Sequence, residues 1–219
     1  MKQLKQEKMK EFLRTNYLTL FELAKKCDID DADIIKLQTA QCIPGNSYEL
    51  RSIDIFSSPV AEDHIASTNV RYYHPSTVSW VKEALTSSKP NDLAKVAQQF
   101  KISFHTQLEK EFKGEKTLGC QNFDQAWGYW MDGTWGVCLK ELTVECMARK
   151  ELSRLRITNL MKYERTAITK KDKINLINAI NDYVLASMAF PPYGIRHMLP
   201  EEAIKKFQLE IALDMKYSI

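Results

Sequence analysis

Glycine and proline are scarce in this chain, seven of each in 219 residues. So few turn formers disfavour a many-stranded β fold and a glycine-built nucleotide loop, and they favour long helices. No GxGxxG, Walker loop or GxSxG elbow is present. No apolar run approaches the roughly 20 residues of a membrane span, and the basic start MKQLKQEKMKEFL lacks the apolar core of a signal peptide. The five cysteines (Cys27, Cys42, Cys120, Cys138, Cys146) contain no CxxC pair, and the four histidines (His64, His74, His105, His197) show no HxxxH or HxxE spacing. The expectation is a cytoplasmic protein with reduced thiols, no metal site and no cofactor. A net charge of +3 is too small to argue for nucleic acid or a membrane surface.

What is present is ordinary globular material, 44% hydrophobic and 27% charged, enough for one domain or two small ones. Its densest stretch is NFDQAWGYWMDGTWGVCLKELTVEC, residues 122–146. Three of the four tryptophans (Trp127, Trp130, Trp135) and three glycines (Gly128, Gly133, Gly136) fall within it. At 100° per residue Phe123, Ala126, Trp127, Trp130 and Met131 share one helical arc. Asp132-Gly133 stops that helix, Thr134–Leu139 is a short connector, and Thr143 N-caps the next helix. Such a stripe reads as a tryptophan-rich core corner. The alternative is an aromatic-walled pocket with Asp124, Asp132 and Glu141 at its rim.

Residues 1–16 form a leading amphipathic helix. Thr19 caps a short second helix, and Asp30-x-x-Asp33 starts a third, anchored by Ile34, Ile35 and Leu37. Cys42-Ile43-Pro44-Gly45 ends it, and Ser47–Phe56 alternates as a short hairpin or wing. Residues 57–71 have little pattern and read as a connector. The order "LxxFELAKKCDI…IIKLQTAQCIP…SYELR" resembles the helix-turn-helix and wing of MerR-type regulators. Ala24 matches the small residue between the helices, Ile29 the turn, and Ile43-Pro44 and Tyr48 the exit and wing. The resemblance implies a winged helix-turn-helix-like module over 1–56. In MerR-type regulators the early residues of the second helix meet DNA. Here they are Asp30, Asp31 and Asp33, and residues 1–50 carry eight basic against eight acidic side chains. That balance argues for a peptide or protein partner rather than phosphates, with Lys36, Tyr48 and Arg51 as its contacts.

From residue 72 onward the chain reads as an α-helical domain, so the whole is a mostly α protein with a helical bundle after the module. His74 precedes a helix opened near Pro75, with Val78, Val81 and Leu85 on its apolar side. Leu93, Val96, Ala97, Phe100, Phe104, Leu108 and Phe112 mark a long helix. Thr143 to about Tyr163 carries Val144, Met147, Ala148, Leu152 and Leu155, with Glu151 inside the stripe. Thr169-x-x-Asp172 starts a helix whose arc is Ile174, Ile177, Ile180, Val184, Leu185 and Met188, with Asn181 inside it. Two polar residues in apolar arcs suggest a buried Glu151–Asn181 network, structural or functional. Residues 140–173 hold ten basic against five acidic residues. The rigid loop Phe190–His197 offers Arg196 to an anionic ligand. Pro200-Glu201-Glu202 opens the last helix.

The combination of the N-terminal helices with "RYYHPSTVSWV" and "WGYWMDGTWGVCLKELT" resembles a bacterial family of unknown function associated with natural-product biosynthesis. The leading expectation is a non-catalytic binding protein. Its first module takes a peptide or protein. Its helical domain takes a small anionic or aromatic ligand at Trp127, Trp130, Asp132, Trp135, Glu151, Asn181, Arg196 and His74. A MerR-like DNA-binding regulator, dimeric and using Lys25, Lys26, Lys36 and Arg51, is the second expectation. A small-molecule biosynthetic enzyme with Asp132, Glu151 or His74 as acid or base is the third.

Overall fold

The structure, a computed structural model, describes residues 2–58, 61–87, 92–112, 123–189, 191 and 199–209. Among these the chain is mostly helical, with ten helices and one sheet of strand order β1-β3-β2. Helix α1 (Lys2–Asn16) leads through β1 (Leu18–Thr19) into α2 (Leu20–Cys27) and α3 (Asp31–Thr39). Thr19 starts α2 as expected. Its hydroxyl accepts from the Glu22 N–H, and the Glu22 carboxylate accepts from the Thr19 N–H. Asp28 ends α2 in the left-handed region at φ 57°, a conformation short polar side chains tolerate. Ile34 and Leu37 anchor α3. Ile35, expected beside them, is exposed, because one residue along a helix turns the side chain by 100°.

The segment Cys42–Gly45 leaves α3 buried and delivers the chain to β2 (Tyr48–Ser58) and β3 (Ala61–Tyr73). These pair antiparallel from Tyr48 opposite Tyr72 to Ser58 opposite Ala61. The hairpin therefore outruns the expected Ser47–Phe56 wing, and most of the expected 57–71 connector is strand. Its sequence AEDHIASTN lacks the apolar alternation that marks a half-buried strand. β1 covers only the end of β3, pairing Leu18 with Tyr73 and Thr19 with Tyr72. One face of the sheet packs Tyr48, Leu50, Val70 and Tyr72 on Met9, Phe12 and Leu13 of α1, with Tyr17 and Met188. Glu49 and Arg71, opposite each other, belong to the other face.

Pro75 sits in a turn before α4 (Thr77–Ser87), which buries Val81 and Ala84 and leaves Leu85, expected in its stripe, largely exposed. The expected long helix is α5 (Leu93–Phe112), and α6 (Phe123–Met131) buries the predicted Ala126, Trp127, Trp130 and Met131. Residues 134–139 are not a plain connector: Thr134–Cys138 form a short helix, α7. Thr143 caps α8 (Val144–Leu160), accepting from the Cys146 N–H at 3.1 Å. Thr169 and Asp172 make a capping box for α9 (Lys170–Ala186), and Glu201 and Glu202 lie in the first turn of α10 (Leu199–Phe207).

One buried cluster runs from Leu23 and Ile43 through Tyr73 and Val81 to Phe104, Trp130 and Ala148. The N-terminal helices and the long helices thus share a core. A second cluster joins Ile157 of α8 to Leu176, Ile180 and Tyr183 of α9 and to Ala203 and Phe207 of α10. The face α9 buries differs from the expected arc. Leu176, Ala179, Ile180, Tyr183 and Ala186 point inward, while Ile174, Leu185 and Asn181 are exposed.

Candidate functional site

The tryptophan corner is built on backbone contact. Gly133 adopts φ 87°, and a Cβ there would sit 2.4 Å from the Asn46 carbonyl oxygen, so only glycine fits. Beside it the Gly45 N–H donates to the Met131 carbonyl at 2.9 Å. Trp127, Trp130 and Trp135 are buried in the core this contact closes. Trp135 Nε1 donates to the Ala126 carbonyl at 3.3 Å. Asp132 is exposed and accepts from the Thr134 N–H at 2.8 Å, a capping role. Asp124 pairs with Lys101 at 2.7 Å, and Glu141 is exposed.

An aromatic groove exists one layer further out. About 250 Å³ of space lies between α4, α5 and the start of α8, walled by Trp80, Phe100 and Phe104, with Glu83 and Glu145 at its border. Trp130 forms the layer behind, 5.7 Å from Trp80 and 5.1 Å from Phe104 between ring centroids. Trp80 meets Phe100 edge-on at 5.7 Å, and its Nε1 donates to the Leu142 carbonyl at 3.1 Å, which fixes the plane of the indole. This groove is lined by none of the tryptophans or carboxylates named for a pocket, and the one carboxylate it takes from the 122–146 stretch is Glu145. Trp80 and Glu83 share α4 while Glu145 comes from α8, and only "SWV" in the sequence drew attention to one of them.

His74 is 1% exposed. Its Nδ1 accepts from the Ser76 N–H at 3.0 Å, its carbonyl accepts from the Thr77 N–H at 2.9 Å, and the ring lies by the backbone of Leu139 and Lys140. Burial pushes the imidazole down to about 4, against the lift from those backbone groups, so the ring is neutral near pH 7. It clasps the start of α4 and does not open onto solvent.

Glu151 and Asn181 are not brought together. Glu151 pairs with Arg154 on its own helix at 2.9 Å, and Asn181 faces solvent. Two polar residues of α8 are buried instead, Ser153 and the neighbour Lys150, which is 5% exposed. The ammonium donates to the Cys138 carbonyl and stands 5.2 Å from the centre of the Tyr183 ring. Burial holds the amine below its ordinary value, while the Cys138 thiol, Glu151 and the Cys146 thiol pull the other way. The same Cys138 carbonyl accepts from the Met188 N–H at 3.1 Å, beside the Leu139–Ser187 bridge. Lys150 thus braces a strap joining α7 to the end of α9. Sequence periodicity set Lys150 on the flank of the stripe. Arg196 lies outside the described residues.

On the N-terminal surface two adjoining grooves run between α3 and the hairpin. One, about 410 Å³, is lined by Phe21, Asp31, Ile35 and residues Asn69–Arg71; the other, about 450 Å³, by Ile35, Gln38, Glu49 and Arg71. Phe21 is 67% exposed there. Lys36 is exposed on α3, and Arg51 is exposed and paired with Glu49 at 2.7 Å. Tyr48 is placed elsewhere. Its ring meets Tyr17 edge-on at 4.9 Å, on the opposite sheet face.

Among the described residues no group of three His, Cys, Asp or Glu side chains is placed to hold a metal ion, and no helix is long and apolar enough to cross a membrane. Residues 94–211, more than half of the chain and spanning α5 to α10, match a family of unknown function (DUF6058), and the protein belongs to that family. No curated protein and no solved structure matches it.

Proposed function

We propose that the protein is a non-catalytic binding protein, an accessory factor of bacterial natural-product metabolism as its resemblance implies. The surface between α3 and the hairpin receives a peptide segment of a protein partner, and the helical part holds a small ligand. The observation that carries the partner reading is the pairing of exposed Phe21 and Ile35 with charges of both signs, Asp31, Glu49 and Arg71, along two adjoining grooves that share Ile35 and Arg71. Exposed apolar side chains rimmed by polar ones mark protein contacts. A phosphate backbone requires clustered positive charge, and Asp30, Asp31 and Asp33 stand exposed at the start of α3. The short cover on β3 matters too: β1 pairs only with Tyr72 and Tyr73, and from Arg71 back no described strand pairs the β1 side of β3, so an extended peptide has a backbone edge to follow.

A displayed peptide library selected against the full protein tests this. Selected peptides are expected to lose about tenfold or more in affinity against Phe21→Asp and Ile35→Glu variants, which alter exposed positions only. Peptides insensitive to both variants would move the partner site elsewhere. In parallel, fluorescence anisotropy with a duplex pool over a salt series measures DNA affinity. Binding that falls steeply with salt would install the MerR-like regulator in place of this reading.

A further inference from the structure

The groove walled by Trp80, Phe100 and Phe104 has a charge character opposite to that of the whole chain. The protein carries a net +3, yet the ionisable side chains lining this groove are two carboxylates, Glu83 from α4 and Glu145 from the first turn of α8. Among the described residues no lysine, arginine or histidine lines it. Its floor is aromatic, and its one indole is locked in plane by the bond to Leu142. An anion entering this space would face two negative charges and the electron-rich ring faces. A cation meets attraction from both, since ring quadrupoles and carboxylates favour positive charge. The space, about 250 Å³, exceeds the roughly 150 Å³ that holds a benzene, so a single-ring or similarly sized body fits beside its charged head.

We propose that this groove is a binding site for a small organic cation, an amine with an aromatic or compact apolar body. The ammonium lies between Glu83 and Glu145, and the apolar body rests on Trp80, Phe100 and Phe104. The inference rests on the small-ligand half of the function proposed above and names its ligand class. It replaces the anionic ligand expected from the basic residues of 140–173, none of which lines this groove, and from Arg196, which lies outside the described residues.

Isothermal titration of the full protein with three probes of one shape tests it: phenethylammonium, 2-phenylethanol and phenylacetate. Phenethylammonium is expected to bind at least about tenfold more tightly than either of the others. The variant carrying both Glu83→Gln and Glu145→Gln is expected to lose that preference. Both positions are exposed, and Glu145 contributes to α8 only the modest helix-dipole attraction of an exposed first-turn carboxylate. A melting temperature within about 3 °C of the parent therefore confirms the fold. Equal or tighter binding of phenylacetate or phenylethanol overturns the cation assignment and leaves a ligand site of another class. No heat from any probe up to about 10 mM overturns the site itself. Binding that survives the double variant unchanged places the cation elsewhere and also overturns the proposal.

Discussion

The contact of α5 with α6 and the contact of α8 with α9 are made of opposite materials. In the first, Phe104 packs against Trp127 and Trp130 at 5.3 and 5.1 Å between ring centroids, and the ion pair between the helices, Lys101–Asp124, lies at the solvent-facing rim. In the second, a lysine amine lies buried over a tyrosine, with Ser153 also buried on the same helix. The aromatic contact draws its stability from area and shape, which do not titrate. The lysine contact carries a desolvation cost that depends on pH. Two interfaces of one small protein should therefore answer different perturbations.

The largest effect should come from cutting the aromatic contact. Trp130→Ala is expected to cost about 3–5 kcal/mol in urea unfolding, as removal of a fully buried ring does. That loss should be the same at pH 7 and pH 9.5; a strong pH dependence would show that the two contacts are not independent.

On the acid side the titrating group belongs to neither contact. His74 has a folded value of about 4 against 6.5 in its ordinary state. The unfolded chain takes up the proton first, so stability should fall as pH drops from 6.5 towards 4, by on the order of 3 kcal/mol. His74→Asn, which keeps an acceptor for the Ser76 N–H, should flatten that slope. An unchanged slope would assign it to carboxylates instead.

Lys150→Met sharpens the alkaline side. The folded amine lies below 10.5, so its burial penalty is full at low pH and is relieved as pH rises towards 10.5. The methionine variant is expected to gain about 1 kcal/mol at pH 7 and to lose the rise in stability as pH climbs towards 10.5. Destabilisation instead would mean that the bond to the Cys138 carbonyl outweighs the desolvation of the amine. The smallest effect is local. Thr169→Ala removes the capping box of α9 and should cost about 1 kcal/mol, with hydrogen exchange accelerated first in that turn.

The same contrast explains what could be read beforehand. The stripe of α5 repeats large apolar residues over five turns, so its face was unambiguous, and Thr19, Thr143 and Thr169 announced helix starts by chemistry that acts within four residues. On α9 the buried face is made of Leu176, Ala179, Ile180, Tyr183 and Ala186, while isoleucine and leucine at 174 and 185 sit outside. Alanine and tyrosine give a weak periodic signal, so the larger residues pulled the reading round the helix. On α8 a shift of one residue exchanged Glu151 for Lys150. The groove was illegible as a site for another reason. Trp80, Phe100 and Glu145 are far apart in sequence, and no local rule links them. What the stretch did convey was that its tryptophans are core, because ring spacing on one helix reports burial and not openness.

The backbone contact at Gly45 and Gly133 bears on how the molecule can be divided. The family match starts at residue 94, yet the bond from Gly45 to Met131 and the stacking of Trp80 on Trp130 and Phe100 both cross that boundary. A polypeptide trimmed to the matched residues would keep the faces of α5 and α6 and lose their cover. The matched residues and the core they sit in are therefore different lengths of chain, and Gly45, Trp80 and Val81, all ahead of residue 94, form part of the inner wall of the rest.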